Sequence, residues 1–113
     1  MIENITFIIA SYNDPSIRST LDSILACAVK GDQILVIDGK SNDRTVEVAN
    51  ATLNKSQVNH TIISEPDDGI YDAWNKGVRL ADNTWIAFLG CGDQLLSDYR
   101  TEVSAVLKSN KEC

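Results

Sequence analysis

Short apolar segments alternate with longer amphipathic segments along this chain. The short segments are rich in β-branched residues and contain no charged residue, a pattern typical of strands buried on both faces of a sheet. They are Ile5–Ala10, Ile34–Ile37, Thr61–Ser64 and Trp85–Leu89. Their alternation with helical segments predicts an α/β fold of Rossmann-like βαβ units, in which helices cover both faces of a mainly parallel sheet.

Apolar residues between and after the strands recur at helical spacing and predict four helices. Asp14 is suited to the N-cap of the first helix and Pro15 to its first position, and Gly31 is expected to end this helix. The last helix is predicted from Ser97 to Ser109. The apolar positions are Ile17, Leu21, Ile24, Leu25 and Ala28; Val46, Ala49 and Leu53; Ile70, Ala73, Trp74, Gly77, Val78 and Ala81; and Tyr99, Val103, Val106 and Leu107.

Composition narrows the class of protein. With 113 residues, the chain is expected to form one domain over residues 1–113. Its net charge of −6 at pH 7 argues against nucleic acid and a polybasic membrane anchor as partners, so neither is expected. Three dispersed cysteines, Cys27, Cys91 and Cys113, fit neither a disulfide framework nor a zinc site. Because no segment predicts a signal peptide or a membrane span, the expected location is the cytoplasm.

Acidic residues follow all four predicted strands, at the edge where parallel sheets bind ligands. They lie in the segments Ser11–Asp14, Asp38–Gly39, Glu65–Gly69 and Gly90–Asp93. In the last segment, two glycines let the backbone approach a ligand closely, and Asp93 supplies a carboxylate beside them. Such a carboxylate suits a hard cation, Mg²⁺ or Mn²⁺.

Several of these residues also have a purely structural explanation. Asp14 is most simply a helix N-cap, and Asp38 fits a tight turn as well as a ligand contact. Trp74 lies on an apolar stripe, which favours a core position, and His60 is expected at the surface before a strand. Cys91 has no activating base nearby in sequence and fits a small filler beside the turn.

Taken together and in order, these motifs resemble the family-2 glycosyltransferases of the GT-A fold, and in particular the branch that builds bacterial surface polysaccharides. The resemblance runs from Ile5 to about Leu96 and is strongest over Ser64–Gly77, with further matches at Ser11–Asn13 and Val36–Thr45. It implies a domain that binds a nucleoside diphosphate sugar, expected to be a UDP-sugar, for sugar transfer in polysaccharide synthesis.

The resemblance also implies roles for individual residues. Tyr12 would lie against the nucleobase, and Asp38 would accept a hydrogen bond from the uracil or the ribose. Asp67 would contact the nucleoside or its sugar. Four further nucleotide-binding residues are implied. Ser11 and Asn13 would lie in the same wall as Tyr12, and Asn75 and Lys76 would brace the loop before the third helix.

Asp93 matches the last acid of the family's metal-binding Asp-x-Asp motif. The implied cofactor is Mn²⁺ or Mg²⁺, which would bridge the two phosphates and stabilise the leaving group. The chain departs from the motif at its first acid, where Cys91 stands. Family members are more than twice as long as this chain, and their second half supplies the acceptor site and the catalytic base. No residue here is assigned as that base, and the chain alone is expected to transfer no sugar.

Three interpretations remain open. The chain is an enzyme completed by a partner or by a second half, a non-catalytic module that binds a nucleotide, or a self-association module derived from the same fold. With the strand order third, second, first, fourth, Trp85–Leu89 becomes an apolar edge strand without charged residues or proline. The expected assembly is a homodimer that covers this edge.

Overall fold

The structure is a computed structural model that describes residues 4–91. A single sheet of four parallel strands has the order β3-β2-β1-β4, the order on which the expected edge strand depends, and three helices connect the strands. The elements are β1 Ile5–Ser11, α1 Ile17–Leu25, β2 Gln33–Asp38, α2 Thr45–Leu53, β3 Asn59–Ser64, α3 Ile70–Leu80 and β4 Trp85–Gly90. The predicted helix Ser97–Ser109 lies outside the described residues.

The two central strands, β1 and β2, are buried along their whole length. Side chains of successive residues point to opposite faces of the sheet. Phe7 and Ile9 therefore belong to the core beneath α1 and α2, whereas Ile8 and Ala10 belong to the core beneath α3. Helices thus cover both faces, which confirms the α/β class.

The boundaries differ clearly from the predicted ones at three places. The first helix ends at Leu25 rather than at Gly31, because the chain turns there and the backbone N–H groups of Cys27 and Ala28 both donate to the carbonyl oxygen of Ile24. The first helix begins at Ile17 because Asp14 and Pro15 form a preceding turn, in which the Asp14 carboxylate accepts hydrogen bonds from the backbone N–H (3.1 Å) and hydroxyl (2.6 Å) of Ser16. The third strand begins earlier, at Asn59, because its ladder with β2 starts there. His60 is therefore half-buried within the strand rather than at the surface before it.

The apolar stripe of α3 is only partly buried. Ala73 and Gly77 face the sheet, while Ile70 and Val78 are exposed to solvent. The reason is that α3 packs on the central strands β1 and β2, whereas the other two described helices pack against each other on the opposite face and do not cover its outer side.

Gly77 allows α3 to lie directly on β1. A Cβ atom at this position would come within 2.9 Å of Cδ1 of Ile8, and closer still to Cγ2 of the same residue. Ile8 is fully buried, so it has little freedom to move aside. The close helix–strand contact therefore depends on the missing side chain.

A polar network secures the amino-terminal edge of the sheet. The Thr6 hydroxyl donates to Oε1 of Gln33 (2.8 Å), and the same oxygen accepts the backbone N–H of Asp82 (2.8 Å). Nearby, the carboxylate of Asp32 accepts the backbone N–H of Ile5 (2.9 Å). These bonds tie the connection between α3 and β4 to the two central strands. The longest helix in the part described has 11 residues, and none there is long and apolar enough to cross a membrane.

Candidate functional site

A cleft of about 560 Å³ opens at the carboxyl ends of β1 and β4, beside the first turn of α3. Parallel α/β sheets bind their ligands at this edge. A second cavity, of about 570 Å³, lies at the opposite end of the sheet and contains none of the predicted site residues. The cleft is lined by Ala10, Ser11, Tyr12, Asp14, Gly39, Pro66, Asp67, Gly69, Ile70, Ala73, Gly90 and Cys91.

The loop after β1 presents an aromatic ring at the mouth of this cleft. Tyr12 is 62% exposed although it lines the cleft, so its ring is free to meet a ligand. Asn13 has a positive φ of 45°. Its backbone N–H donates to the hydroxyl of Ser41 (2.8 Å), and its side-chain oxygen accepts the backbone N–H of Asn42 (2.9 Å). These two hydrogen bonds therefore connect the loop after β1 to the loop after β2.

Asp38 is fully buried at the end of β2. One carboxylate oxygen accepts the hydroxyls of Ser11 (2.7 Å) and Ser41 (2.6 Å), and the other accepts the backbone N–H of Ser41 (2.7 Å) and the hydroxyl of Ser64 (2.8 Å). Burial alone would raise the pKa of Asp38, but these hydrogen bonds stabilise the charged form and together lower the pKa below its usual value.

The expectation that Asp38 accepts a hydrogen bond directly from the ligand stays a prediction, and this arrangement argues against it. Each oxygen of its carboxylate already has two protein donors, and the side chain is not part of the cleft wall. Three residues around it, Ser11, Gly39 and Asp67, do line the cleft.

Asp67 reaches the cleft wall because Gly39 has no side chain. A Cβ atom on Gly39 would lie 3.1 Å from one carboxylate oxygen of Asp67, tighter than ordinary contact. The other oxygen accepts the backbone N–H of Gly69 (3.1 Å), which fixes the carboxylate at the start of α3. The loop before α3 and the turn after β2 thus form one continuous wall.

Lys76 holds that loop in place from the third helix. Its side chain is only 16% exposed, and its ammonium group donates to the carbonyl oxygen of Pro66 (2.8 Å) and contacts a carboxylate oxygen of Glu65 (3.2 Å). Asn75, expected to share this role, is exposed, and its side chain makes no hydrogen bond to a described residue. Of the two predicted residues, Lys76 therefore makes the bracing contact. Asp72 on the same helix adds to it by accepting the backbone N–H of Asp68 (2.9 Å).

The described wall of the cleft carries two carboxylates, Asp14 and Asp67, and neither lysine nor arginine. Cys91 also lines it, but burial, followed by the charge of Asp14, raises the pKa of this thiol to about 12. A neutral thiol is a poor ligand for a hard cation and a poor nucleophile. Within residues 4–91, no three histidine, cysteine or acidic side chains cluster to hold a metal. Asp93, the predicted metal ligand, lies outside the described residues.

Sequence reasoning missed the structural roles of Ser41 and Ser64. The parallel register places Ser11, Asp38 and Ser64 side by side across β1, β2 and β3. The signal was present in the sequence, because all three residues directly end or follow a predicted strand. Aligning these strand ends in register would have put the hydroxyls of Ser11 and Ser64 beside the carboxylate of Asp38.

The sequence is similar to those of known glycosyltransferases. The model of the family described as glycosyl transferase family 2 matches residues 6–111. A PGL/p-HBAD biosynthesis glycosyltransferase of Mycobacterium bovis is 39% identical over 75 residues, which cover 66% of this chain and 29% of that protein. The uncharacterized glycosyltransferase EpsJ of Bacillus subtilis is 29% identical over 98 residues, which cover 86% of this chain and 28% of that protein. The matched stretches span less than a third of these curated relatives.

The fold matches those of solved glycosyltransferases. TarS of S. aureus, residues 1–349, superposes with a TM-score of 0.84 at 18% identity, over 96% of this chain and 33% of that one. The mannosyltransferase PcManGT of Pyrobaculum calidifontis superposes with a TM-score of 0.82 at 22% identity, over 94% of this chain and 32% of that one. At these identities the likeness shows the GT-A fold. Together with the family match over nearly the whole chain, the fold and its cleft establish that this chain belongs to glycosyl transferase family 2.

Proposed function

We propose that the cleft binds a nucleoside diphosphate sugar, with UDP as the nucleotide, and that the domain of residues 1–113 serves sugar transfer in polysaccharide synthesis. The observation that carries this proposal is the position of the cleft: it opens at the carboxyl ends of the strands in a chain of family 2, and Tyr12 and Asp67 lie in its wall. Structures of the neighbours contain UDP-GlcNAc in TarS, and GDP-Man with Mn²⁺ in PcManGT, which supports this class of ligand.

The proposed ligand contacts follow the geometry of the cleft. The exposed ring of Tyr12 would stack on the nucleobase, with Ser11 in the same wall. Asn13 does not line the cleft and would instead hold the loop that carries Tyr12. Asp67 would accept a hydrogen bond from the ribose or the sugar. Lys76 would act indirectly, by holding the loop that carries Asp67.

A divalent cation fits this site because the described wall offers a diphosphate no positive charge. Carboxylate oxygens are the ligands that Mg²⁺ and Mn²⁺ prefer. We propose that Asp93 holds the cation, which supplies charge stabilisation for the diphosphate leaving group. Cys91 is a free thiol. A free thiol supports a reducing compartment, and we propose the cytoplasm.

Replacing Tyr12 by alanine should weaken UDP binding about tenfold, because stacking on an aromatic ring contributes about 1–3 kcal/mol per base. Calorimetric titration with UDP in the presence of Mn²⁺ measures this change. The matched control is Tyr71→Ala, which removes another exposed tyrosine that does not line the cleft and should leave the affinity unchanged. Equal affinities for wild type and Tyr12→Ala would exclude the cleft as the nucleotide site, and absence of binding to the wild type would refute the proposed function.

Self-association is a second proposal, supported by an aromatic surface beside the β4 edge. Among the described strands, β4 pairs only with β1, and Phe88 is 47% exposed next to Trp74, with ring centroids 5.1 Å apart. Tyr71 extends this surface, at 5.7 Å from Trp74. We propose a homodimer, or a partner that supplies the rest of the fold, that covers it.

The chain is therefore expected to sediment as a dimer at micromolar concentration, and Phe88→Glu to sediment as a monomer. A carboxylate introduced at this position would be desolvated in the interface, which is unfavourable without a partner charge. Ala51→Glu, at an exposed position of α2, is the control and should leave the dimer intact. A wild-type chain that sediments as a monomer throughout would refute self-association.

A further inference from the structure

Asp38 lies behind the cleft wall rather than in it. Its side chain is fully buried, and four hydrogen bonds from three serines occupy both carboxylate oxygens. A ligand could contact this carboxylate only by displacing a serine. The structure therefore gives Asp38 a different task from a direct ligand contact.

The first part of that task is to join three strand ends. In the parallel register, Ser11 and Ser64 flank Asp38 on either side, at the last residues of β1 and β3. Both hydroxyls donate to the carboxylate, at 2.7 and 2.8 Å. A charged acceptor makes stronger hydrogen bonds than a neutral one, so the three carboxyl ends are held at a fixed separation.

The second part is a relay to the loop that carries Tyr12. The Ser41 hydroxyl donates to Asp38 (2.6 Å) and accepts the backbone N–H of Asn13 (2.8 Å). Asn13 in turn accepts the backbone N–H of Asn42 (2.9 Å). The relay therefore runs from the buried carboxylate to the residue that directly follows Tyr12.

One residue in this relay, and one directly beside it, have backbone conformations that need external support. Asn13 has φ of 45° and Lys40 has φ of 64°. Non-glycine residues occupy this left-handed region only when surrounding contacts hold them there. For Asn13 those contacts are the ones that Ser41 and Asn42 make.

We propose that Asp38 is a positioning residue that sets the place of Tyr12 through Ser41 and Asn13, without touching the nucleotide. This inference rests on the proposed function, since Tyr12 is the residue that would meet the base. It separates the two acidic residues at the site: Asp67 contacts the ligand, and Asp38 holds the wall in shape.

A double-mutant cycle distinguishes positioning from direct contact. UDP affinity is measured by calorimetry for wild type, Asp38→Asn, Tyr12→Ala and the double variant. If Asp38 acts through Tyr12, Asp38→Asn should weaken binding about tenfold in the native background and less than about twofold when Tyr12 is already alanine. Two losses that multiply in the double variant would show a direct contact and overturn the proposal.

Asp32→Asn is the matched control for the loss of a buried carboxylate. Asp32 is also buried, and it accepts backbone N–H groups of Ile5 and Val29 (both 2.9 Å) at the opposite end of the sheet. This variant should lower the urea midpoint and leave UDP affinity within about twofold. Should Asp38→Asn fail to fold, Ser41→Ala interrupts the same relay at a half-buried position and enters the cycle in its place.

A measurement without ligand tests the relay separately from the proposed function. Amide hydrogen exchange at Asn42, whose N–H bonds to Asn13, should become faster in Asp38→Asn and in Ser41→Ala but stay unchanged in Asp32→Asn. Unchanged exchange at Asn42 in Asp38→Asn would overturn the positioning role even if the chain binds UDP. Faster exchange at Asn42 in Asp38→Asn, together with a wild type that binds no UDP, would instead show that the relay is real and the proposed function is wrong.

Discussion

Replacing Gly77 by valine is expected to lower the free energy of unfolding by about 3 kcal/mol, a large part of the 5–15 kcal/mol typical of a native domain. A Cβ atom alone would stand 2.9 Å from Cδ1 of Ile8, and valine adds two further methyl groups in the same direction. Ile8 is fully buried in β1, so either α3 must move away from the sheet or Ile8 must leave its rotamer. Urea denaturation followed by circular dichroism measures the change.

Arg79→Val is the matched control for Gly77→Val, because it places the same β-branched side chain on an exposed position of the same helix. It should change the free energy of unfolding by no more than about 0.5 kcal/mol. In the Gly77→Val background, Ile8→Ala should cost less than it costs alone, since it removes the clashing methyl groups. A Gly77→Val midpoint equal to that of Arg79→Val would show that α3 does not lie on β1 as described.

Removing the divalent cation with a chelator is expected to weaken UDP binding about 100-fold, or about 2.7 kcal/mol. The physical reason is the charge of the described cleft wall, which brings Asp14 and Asp67 toward a diphosphate without a lysine or arginine to offset them. Paired calorimetric titrations with Mn²⁺ and with the chelator measure the difference.

Asp93→Asn should remove most of that metal dependence while leaving the thermal midpoint unchanged. Uridine, which carries no phosphate, is the control ligand: its affinity should not respond to Mn²⁺ in wild type or variant. If the affinity of Asp93→Asn for UDP still rises with Mn²⁺ as in the wild type, Asp93 is not the metal ligand.

The fold followed from the sequence because each strand is marked twice, by its apolar residues and by the polar turn that ends it. Ile34–Ile37, for example, is followed at once by Asp38, and the structure ends β2 at that residue. The beginnings of elements were less predictable. β3 starts two residues before Thr61 because its pairing with β2 determines where the ladder begins. The residues of one segment alone do not show where such pairing starts.

The cleft wall was predictable from the ends of the strands, but the function of each polar side chain there was not. Asp38 and Asp67 look alike in the sequence, since both come after a strand and shortly before a glycine, Gly39 and Gly69 respectively. What separates them is the arrangement of donors around each carboxylate: Asp38 is surrounded by serines, and Asp67 lies open beside Gly39. That difference depends on strands far apart in the chain, so no local pattern shows it.

The strand order has a consequence for how the chain folds as it is synthesised. β1 is made first, yet it lies between β2 and β4, and Thr6 meets Asn83, which is 77 positions further along the chain. At 5–20 residues per second, the ribosome needs on the order of ten seconds to make the intervening stretch. During that time β1 can pair with β2 while its other edge stays open, because the strand that covers it does not yet exist. Docking of β4, which closes a long loop of chain, is therefore the slow and late step that completes both the sheet and the cleft at its end.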